Sequence, residues 1–352
     1  MLFRSLATPG SSKHIATWLL IGVVMIVIQV LLGGITRLTE SGLSITEWKP
    51  ITGTLPPMND IAWQTEFDKY KITDQFKYVH QNFSLSEFKF IFFWEWFHRL
   101  WARLMGLVFL TGFIYFLVKK QFNKKMIRPM VILFLLGALQ GFIGWLMVKS
   151  GLVPEKYFVG HIELATHFIA ALGLLSYTLW FALSLLIKND QKIINRSLQI
   201  FLLLILSVLI IQLIYGAFMA GLKAAVSAPT WPGINGQLIP SSMNELSPWS
   251  KNLLANNITI HFIHRGLAYL LFILIGAWCF RARKIRNNKL FSFLRTVLLL
   301  LVSLQLVLGI ITVLNATHPL RLVIFGVMHQ FVAMLLLMVI VTLIYTVKRN
   351  RS

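Results

Sequence analysis

The chain has 352 residues, of which 57% are hydrophobic and 13% are charged, and its mean hydropathy is +0.73. Soluble globular domains are less apolar and carry about twice this share of charged residues, so the composition excludes an ordinary soluble fold. The formal net charge of +21 comes from short clusters of cations between apolar runs. This pattern indicates membrane topology and not a phosphate-binding face, so we expect no nucleic-acid partner.

The first apolar run begins at Ile15. It is too long for the apolar core of a signal peptide, and no small-x-small cleavage site follows it. An Arg- and Ser-rich transit peptide has no room before it. We therefore expect a bacterial plasma (inner) membrane and not a mitochondrial one. The single cysteine, Cys279, lies within another apolar run, which excludes an intramolecular disulfide.

A helix needs about 20 apolar residues to cross the hydrocarbon core of a bilayer. Eight runs of suitable length follow one another along the chain, near residues 15–36, 91–118, 129–148, 161–187, 197–220, 257–280, 293–314 and 321–347. The sequence therefore predicts an all-α polytopic membrane protein with eight transmembrane helices.

Lysine and arginine crowd the second, fourth and sixth loops and the end of the chain, whereas the third, fifth and seventh loops hold few. By the positive-inside rule, both termini are cytoplasmic. The first loop, residues 37–90, is therefore outside, and it contains acids and bases in similar number. Because this loop is long and includes Pro50, Pro56 and Pro57, we expect a structured cap and not a flexible linker.

The two halves of the chain resemble each other. Gln29 and Gly33 in the first span recur as Gln212 and Gly216 in the fifth, an offset of 183 residues. The same offset relates Trp48, Gly53, Leu55 and Pro57 to Trp231, Gly236, Leu238 and Pro240. Later in each half, at a different offset, Leu139-Gln140 is matched by Leu304-Gln305. We interpret these matches as a parallel repeat, against the alternative of chance similarity between Leu-rich helices. The prediction is two tandem four-helix bundles, residues 1–190 and 191–352, related by a pseudo-two-fold axis along the membrane normal.

Four histidines occupy equivalent places in the even-numbered spans: His98, His167, His264 and His329. At 1.5 Å of rise per residue they share one depth, about a third of the way in from the outer face. A single buried histidine is more often a packed core residue. Four at one depth, duplicated across a repeat, favour axial ligation of two haems in the bundle cores. Zinc is the other metal considered, but it prefers a tighter cluster that includes cysteine or carboxylate.

The remaining polar residues near these spans are weaker candidates. We expect solvated roles for the histidines at span ends or in loops, which are His14, His80, His161 and His318. Arg99 and Arg265 directly follow two ligand candidates, and haem propionates or outer headgroups would neutralise them. Glu163 precedes His167 by four residues, a spacing that suits orientation of that imidazole.

The two halves differ beside the histidines. Glu95 stands three residues before His98, whereas His261 stands three before His264, and this spacing places each on the face of its neighbour. A carboxylate in one half only suggests that the first half does the chemistry, with Glu95 as general base or electrostatic stabiliser. The alternative is that Glu95 pairs structurally with Arg99.

Seven strings spread over nearly the whole chain carry a family resemblance: residues 33–44, 48–57, 87–99, 164–167, 230–232, 262–265 and 329–330. They resemble the haem A synthases, in their alphaproteobacterial and mitochondrial branch. That family oxidises one ring methyl of haem O to a formyl group by successive hydroxylations, which serves cytochrome oxidase biogenesis. The cysteine pair found in the outer loop of its Gram-positive branch is missing from this sequence.

The resemblance implies roles for five residues. His98 and His167 would hold the substrate haem O, Glu95 would be the catalytic carboxylate, and His264 and His329 would ligate the iron of a haem b cofactor. It also implies haem O synthase (protohaem farnesyltransferase) as a partner and membrane lipid as surroundings. It leaves a homo-oligomer, the electron acceptor and the role of His261 open.

Two rival functions bind haem without changing it. One is a di-haem cytochrome b that passes electrons, and the other is a haem transporter or chaperone. Cytochromes of the first kind usually place their haems near opposite faces of the membrane, whereas all four histidines here lie near one face. This difference favours the synthase.

Overall fold

The computed structural model describes residues 9–47, 52–188, 191–285 and 288–348. Eight of its helices are long and apolar enough to cross a membrane. They are α1 (Pro9–Leu38), α2 (Leu85–Val118), α3 (Lys124–Gly151), α4 (His161–Leu186), α5 (Arg196–Gly221), α6 (Asn257–Ala282), α7 (Lys289–Leu314) and α8 (Pro319–Thr346). The prediction of an all-α polytopic membrane protein with eight spans is confirmed.

One difference from the predicted spans is at the outer end of α2, which begins at Leu85 and not near residue 91. A capping box causes the extension. The Ser84 hydroxyl accepts a hydrogen bond from the Glu87 backbone N–H, and the Glu87 carboxylate accepts one from the Ser84 backbone N–H. These two bonds satisfy backbone donors that would otherwise lack partners, so the helix continues beyond its apolar stretch.

The first outer loop is structured, as predicted. It contains a 3₁₀ turn, Thr52–Thr54, and two helices, Asp60–Lys71 and Asp74–Tyr78. An apolar cluster joins these helices to the outer end of α2, and its buried members are Phe67, Tyr70, Phe88, Ile91 and Phe92. Burial of these large side chains fixes the cap onto the bundle. Residues 48–51, which include Trp48 and Pro50, lie outside the described residues.

The loops after α1, α3, α5 and α7 are called outer loops here, from the side that the sequence predicts for them. Within the described residues, the loops other than the first carry short elements only. Helices Ala224–Ser227 and Asn252–Ala255, with 3₁₀ turns Ser241–Asn244 and Trp249–Lys251, connect α5 to α6. At the opposite end, strand β1 (Ile193–Ile194) pairs in parallel with strand β2 (Val347–Lys348). This pairing ties the start of α5 to the end of α8.

Four helices form the centre of the molecule. α1, α4, α5 and α8 pack together, and their contact buries Leu175, Leu202, Ile205 and Ile340 completely. The other four helices are peripheral: α2 packs on α1, α3 on α4, α6 on α5, and α7 on α8. α6 also packs directly against α7, whereas within the described residues no extended packing joins α2 to α3. The first four spans are therefore more open at their periphery than the last four.

An ion pair links the two outer loops across the centre. Lys223 donates a hydrogen bond to the carboxylate of Glu40, and these two residues are related by the offset of 183. Nearby, the Arg37 guanidinium donates to the carbonyl of Gly221 at 2.8 Å. Burial alone would raise the pKa of Glu40, but hydrogen bonds and charge from His80 and Lys223 lower it to about 2. The pair therefore holds corresponding points of the two repeats together.

His80 is not solvated, so that expectation is wrong. Its imidazole is buried, and its Nδ1 lies 2.6 Å from the Tyr70 hydroxyl. Nε2 lies 3.4 Å from the Glu40 carboxylate, and the ring stacks on Phe83. The folding of the cap withdraws this loop histidine from water, which sequence position alone did not indicate.

We expect Lys223→Met to lower the free energy of unfolding by about 1 kcal/mol, because it removes a half-buried ion pair. Since the folded-state pKa of Glu40 lies below its usual value, the pair contributes at neutral pH and is lost as pH falls towards 2. Thermal unfolding of the detergent-purified protein measures the change. Lys251→Met, at an exposed outer-loop lysine, is the matched control, and equal losses in both variants would show that the pair adds nothing.

Candidate functional site

Each of the four predicted histidines is packed against a glutamine on a neighbouring helix. On α2, His98 has both ring nitrogens within 3.3 Å of the Gln29 amide nitrogen of α1. The same amide nitrogen donates to the His98 backbone carbonyl at 3.2 Å. On α4, the ring of His167 is placed in the same way against Gln140 of α3, which donates to its carbonyl at 3.1 Å. These contacts fix both the ring and the backbone of the histidine.

The second half repeats the arrangement. The amide nitrogen of Gln212 on α5 lies 3.5 Å from Nε2 of His264 on α6. The amide nitrogen of Gln305 on α7 lies 3.3 Å from Nε2 of His329 on α8. Each odd-numbered helix therefore supplies the glutamine for the histidine of the helix that follows it.

A glycine one turn after each glutamine makes room for the imidazole. A Cβ atom added to Gly33 or Gly216 would lie 3.2 Å from Cε1 of the facing histidine. At Gly309 the distance would be 3.1 Å, and at Gly144 it would be 2.8 Å. Spacing of four places glutamine and glycine on one helix face. Each Gln-x-x-x-Gly motif therefore forms a binding position for one imidazole, with the glutamine in contact with the ring and the glycine leaving space for it. We call this position a seat, and it occurs four times in the described residues.

The second histidine pair has the geometry of axial haem ligands. The ring centroids of His264 and His329 are 6.4 Å apart, with an angle of 73° between the ring planes. Two imidazoles that bind one iron from opposite sides, each through a bond of about 2 Å, have centroids roughly 6 Å apart. Nδ1 of each ring is buried and has no hydrogen-bond partner among the described residues. These two rings therefore fit the ligation of one haem iron.

The first pair is formed by His98 on α2 and His167 on α4, each held by a glutamine of the preceding helix. Both are only half-buried, as are His264 and His329. α2, which carries His98, and α3, which carries the glutamine of His167, are the least buried of the eight spans. The first pair thus lies in the more open part of the bundle.

Glu95 is buried and holds the first outer loop onto α2. Its Oε2 accepts hydrogen bonds from the Ser44 hydroxyl at 2.7 Å and the Ile45 backbone N–H at 2.8 Å. Its Oε1 accepts one from Arg99 at 2.6 Å. Arg99 also donates to the carbonyls of Ile45 and Glu47. The Glu95–Arg99 pair that the sequence left as an alternative is therefore present, and loop carbonyls provide further partners for this arginine.

The equivalent position in the second half is His261. Its Nε2 accepts a hydrogen bond from Arg265 at 2.9 Å. Arg265 also donates to the carbonyls of Thr230 and Gly233. Thr230 corresponds to Glu47 by the offset of 183, so both halves anchor an outer loop through the arginine that follows a ligand candidate. His261 is packed as a buried partner of this arginine, and the carboxylate is peculiar to the first half.

The contact between each glutamine and its histidine was not predicted. In the sequence, Gln29 and Gln212 served only as markers of the repeat. A polar amide within each odd-numbered span was the available signal, because buried polar groups in a membrane need a partner. The expectation that haem propionates or outer headgroups neutralise Arg99 and Arg265 stays a prediction. Arg99 pairs with Glu95, and both arginines donate hydrogen bonds to loop carbonyls.

Eight apolar helices, with two pairs of histidines that glutamines of neighbouring helices hold in place, define a multi-pass membrane protein. The family of cytochrome oxidase assembly proteins termed COX15-CtaA matches residues 16–341. The chain is 39% identical over 343 residues to the haem A synthase of Flavobacterium psychrophilum, covering 96% of this chain and 98% of the relative. It is 41% identical over 341 residues to that of Novosphingobium aromaticivorans, covering 94% of each.

A further relative is the haem A synthase of Wolbachia pipientis wMel, 40% identical over 306 residues, covering 86% of this chain and 85% of the relative. The chain belongs to the COX15-CtaA family, in the group of the haem A synthases. The family resemblance stated from its motifs is confirmed.

Proposed function

We propose that this protein oxidises a methyl group of haem O to the formyl group of haem A, and that the two halves divide the work. The first half, residues 1–190, takes the substrate, and the second, residues 191–352, holds a haem b. The observation that carries the proposal is the pair of equivalent histidine sites that differ in one nearby residue. Glu95 is a buried carboxylate beside the first pair, where His261 stands beside the second.

His264 and His329 would hold the haem b. Support comes from their 6.4 Å ring separation and from the buried Nδ1 atoms that lack partners in the described structure. A haem with two histidine ligands supplies one-electron transfer when it is bound. Gln212 and Gln305 fix the two rings from outside, and packing of α6 against α7 closes this half. Such a closed site suits a resident cofactor.

His98 and His167 would bind the iron of the substrate haem O. A substrate must enter and leave, and the first half has the more open periphery, since α2 and α3 are held by α1 and α4 and not by each other. The apolar farnesyl chain of haem O would lie between α2 and α3, where it keeps contact with lipid.

Glu95 would act on the reacting methyl group. Each hydroxylation would pass two electrons from the methyl carbon to an external oxidant, and the carbon would take up a hydroxyl group from water with release of two protons. A nearby carboxylate would stabilise the positive charge that develops on the carbon or accept one of these protons. Ser44, Ile45 and Arg99 hold the carboxylate in one position. The same contacts attach the outer loop to α2 beside His98, where the loop would exclude bulk water and so strengthen the electrostatic effect.

The proposal also covers the arrangement of the two halves and the orientation of the chain in the membrane. The two halves are tandem four-helix bundles related by a pseudo-two-fold axis, as the recurrence of the glutamine seats and the Glu40–Lys223 link support. Both termini are cytoplasmic in a bacterial inner membrane, since the cation-rich loops lie on their side. Haem O synthase supplies the substrate, and the protein is surrounded by membrane lipid.

The test is the fate of the haem. Cells that express this chain together with a source of haem O are extracted, and the pigments are separated chromatographically. We expect hydroxylated and formyl haem, with haem A accumulating, whereas a cytochrome b or a haem carrier releases haem O unchanged. Cells that express His167→Ala are the control and accumulate haem O. If wild-type cells contain no oxidised haem, the proposed function is wrong.

A further inference from the structure

A basic cleft opens at the end of the molecule opposite the outer loops, where α5 begins and α6 ends. It has a volume of about 630 Å³. Arg281, Arg283 and Lys284 line it from the end of α6, and Asn195 and Ser197 line it from the start of α5. The three cationic side chains are exposed. We call this set the basic cleft.

The cations of the basic cleft lack acidic partners. None of Arg281, Arg283 and Lys284 forms an ion pair within the described part of the chain. Arg283 instead stacks on the ring of Phe280, 3.8 Å from its centroid. In the loops on this side of the sequence, Asp190 is the one acidic residue. The amino end of α5 adds the positive end of a helix dipole, so the cleft attracts anions.

An apolar groove continues from the basic cleft along the membrane-facing side of α5. It has a volume of about 480 Å³, and its lining includes Ile200, Phe201 and Leu204 together with Arg196 and Arg281. Ile200 and Leu204 are 53% and 50% exposed. They lie one and two turns into the span from Arg196, which corresponds to roughly 6 and 12 Å of depth. Cations at headgroup level therefore lead directly into a groove at acyl-chain level.

We propose that the basic cleft and its groove bind one anionic phospholipid of the cytoplasmic leaflet. The phosphate group contacts Arg281 and Lys284, and one acyl chain lies along Ile200 and Leu204. Basic pockets between membrane helices bind acidic headgroups, and each cation near the surface strengthens the binding. A free phosphate satisfies the cations but leaves the groove exposed. The continuity of the two cavities therefore favours a lipid.

The test uses the full-length protein in detergent, titrated with dioleoyl phosphatidylglycerol and followed by native mass spectrometry. We expect one tightly bound lipid and no equivalent binding of dioleoyl phosphatidylcholine. The double variant Arg281→Gln, Lys284→Gln should bind on the order of thirtyfold more weakly, because it loses two cations. The matched control is Lys124→Gln, Lys125→Gln, which removes two exposed cations at the start of α3 on the same side, outside the cleft.

Equal weakening in the control variant would overturn the proposal, because it would show that general charge and not the cleft retains the lipid. Two further measurements distinguish binding of a whole lipid from binding of its phosphate group alone. Millimolar inorganic phosphate should not displace the bound lipid, and dihexanoyl phosphatidylglycerol should bind much more weakly than the dioleoyl form. Displacement by phosphate, or equal binding of both chain lengths, would indicate an anion site without a lipid. Haem A formation, measured in the same preparations, tests the proposed function separately.

Discussion

Glu95→Gln is expected to abolish the oxidation of haem O while the absorption spectrum of haem b is retained. Glutamine has the same shape and keeps an oxygen that accepts hydrogen bonds, but it carries no negative charge. Electrostatic groups aimed at developing charge typically contribute a hundredfold to a thousandfold in rate, or about 3–4 kcal/mol. We therefore expect the yield of formyl haem from the purified protein or from cells to fall at least a hundredfold.

Glu95 also anchors the outer loop, and loss of this structural role is the main alternative explanation for a loss of activity in Glu95→Gln. Its carboxylate binds Ser44, Ile45 and Arg99, so a change at this position also loosens the outer loop. Ser44→Ala separates the two roles, because it removes one of these loop contacts and keeps the charge. One hydrogen bond from a neutral donor to a charged acceptor contributes about 1.5–3 kcal/mol. A modest loss of activity is therefore expected in Ser44→Ala.

The comparison of the two variants decides the role of Glu95. A far larger loss in Glu95→Gln than in Ser44→Ala supports direct action of the charge on the substrate. Similar losses in both variants would mean that Glu95 anchors the loop and does not take part in the reaction. Retention of the haem b spectrum in both variants is required, because the second half contains neither residue.

Periodicity and composition were sufficient for the spans, since a bilayer sets the length of an apolar helix. The histidine candidates could also be predicted, because polar residues within membrane-spanning helices are energetically costly and are usually functional. The predicted start of α2 was too late in the chain, because the capping box of Ser84 and Glu87 extends the helix beyond the apolar run. Local hydrogen bonds of this kind do not alter mean hydropathy, so a search for apolar windows passes over them.

Contacts between distant segments were the part that the sequence could not provide. His80 looks like any loop histidine until Tyr70 and Glu40 are brought beside it. Gln140 and His167 are 27 positions apart, and their contact depends on how α3 packs on α4. The openness between α2 and α3 is likewise a property of packing, because both helices are as apolar as spans of the closed half.

Gly309→Val is expected to remove haem b from the second half. The seat for His329 exists because Gly309 lacks a side chain, and an added Cβ would already lie 3.1 Å from Cε1 of that ring. Valine adds two further methyl groups, so the imidazole must leave its place against Gln305 and its position opposite His264. Overpacking of this kind costs about 1–3 kcal/mol, and more where the neighbours cannot move.

A smaller substitution at Gly309 and a substitution at a second glycine serve as comparisons. Gly309→Ala should weaken haem b binding about tenfold, which corresponds to ~1.4 kcal/mol of crowding. Gly276→Val is the control, because an added Cβ at that glycine of α6 meets nothing within 4 Å. The reduced-minus-oxidised spectrum of the purified protein gives the haem b content of each variant. Full haem b content in Gly309→Val would contradict both the seat and the assignment of His329 as a ligand, since a displaced imidazole cannot reach an iron held opposite His264.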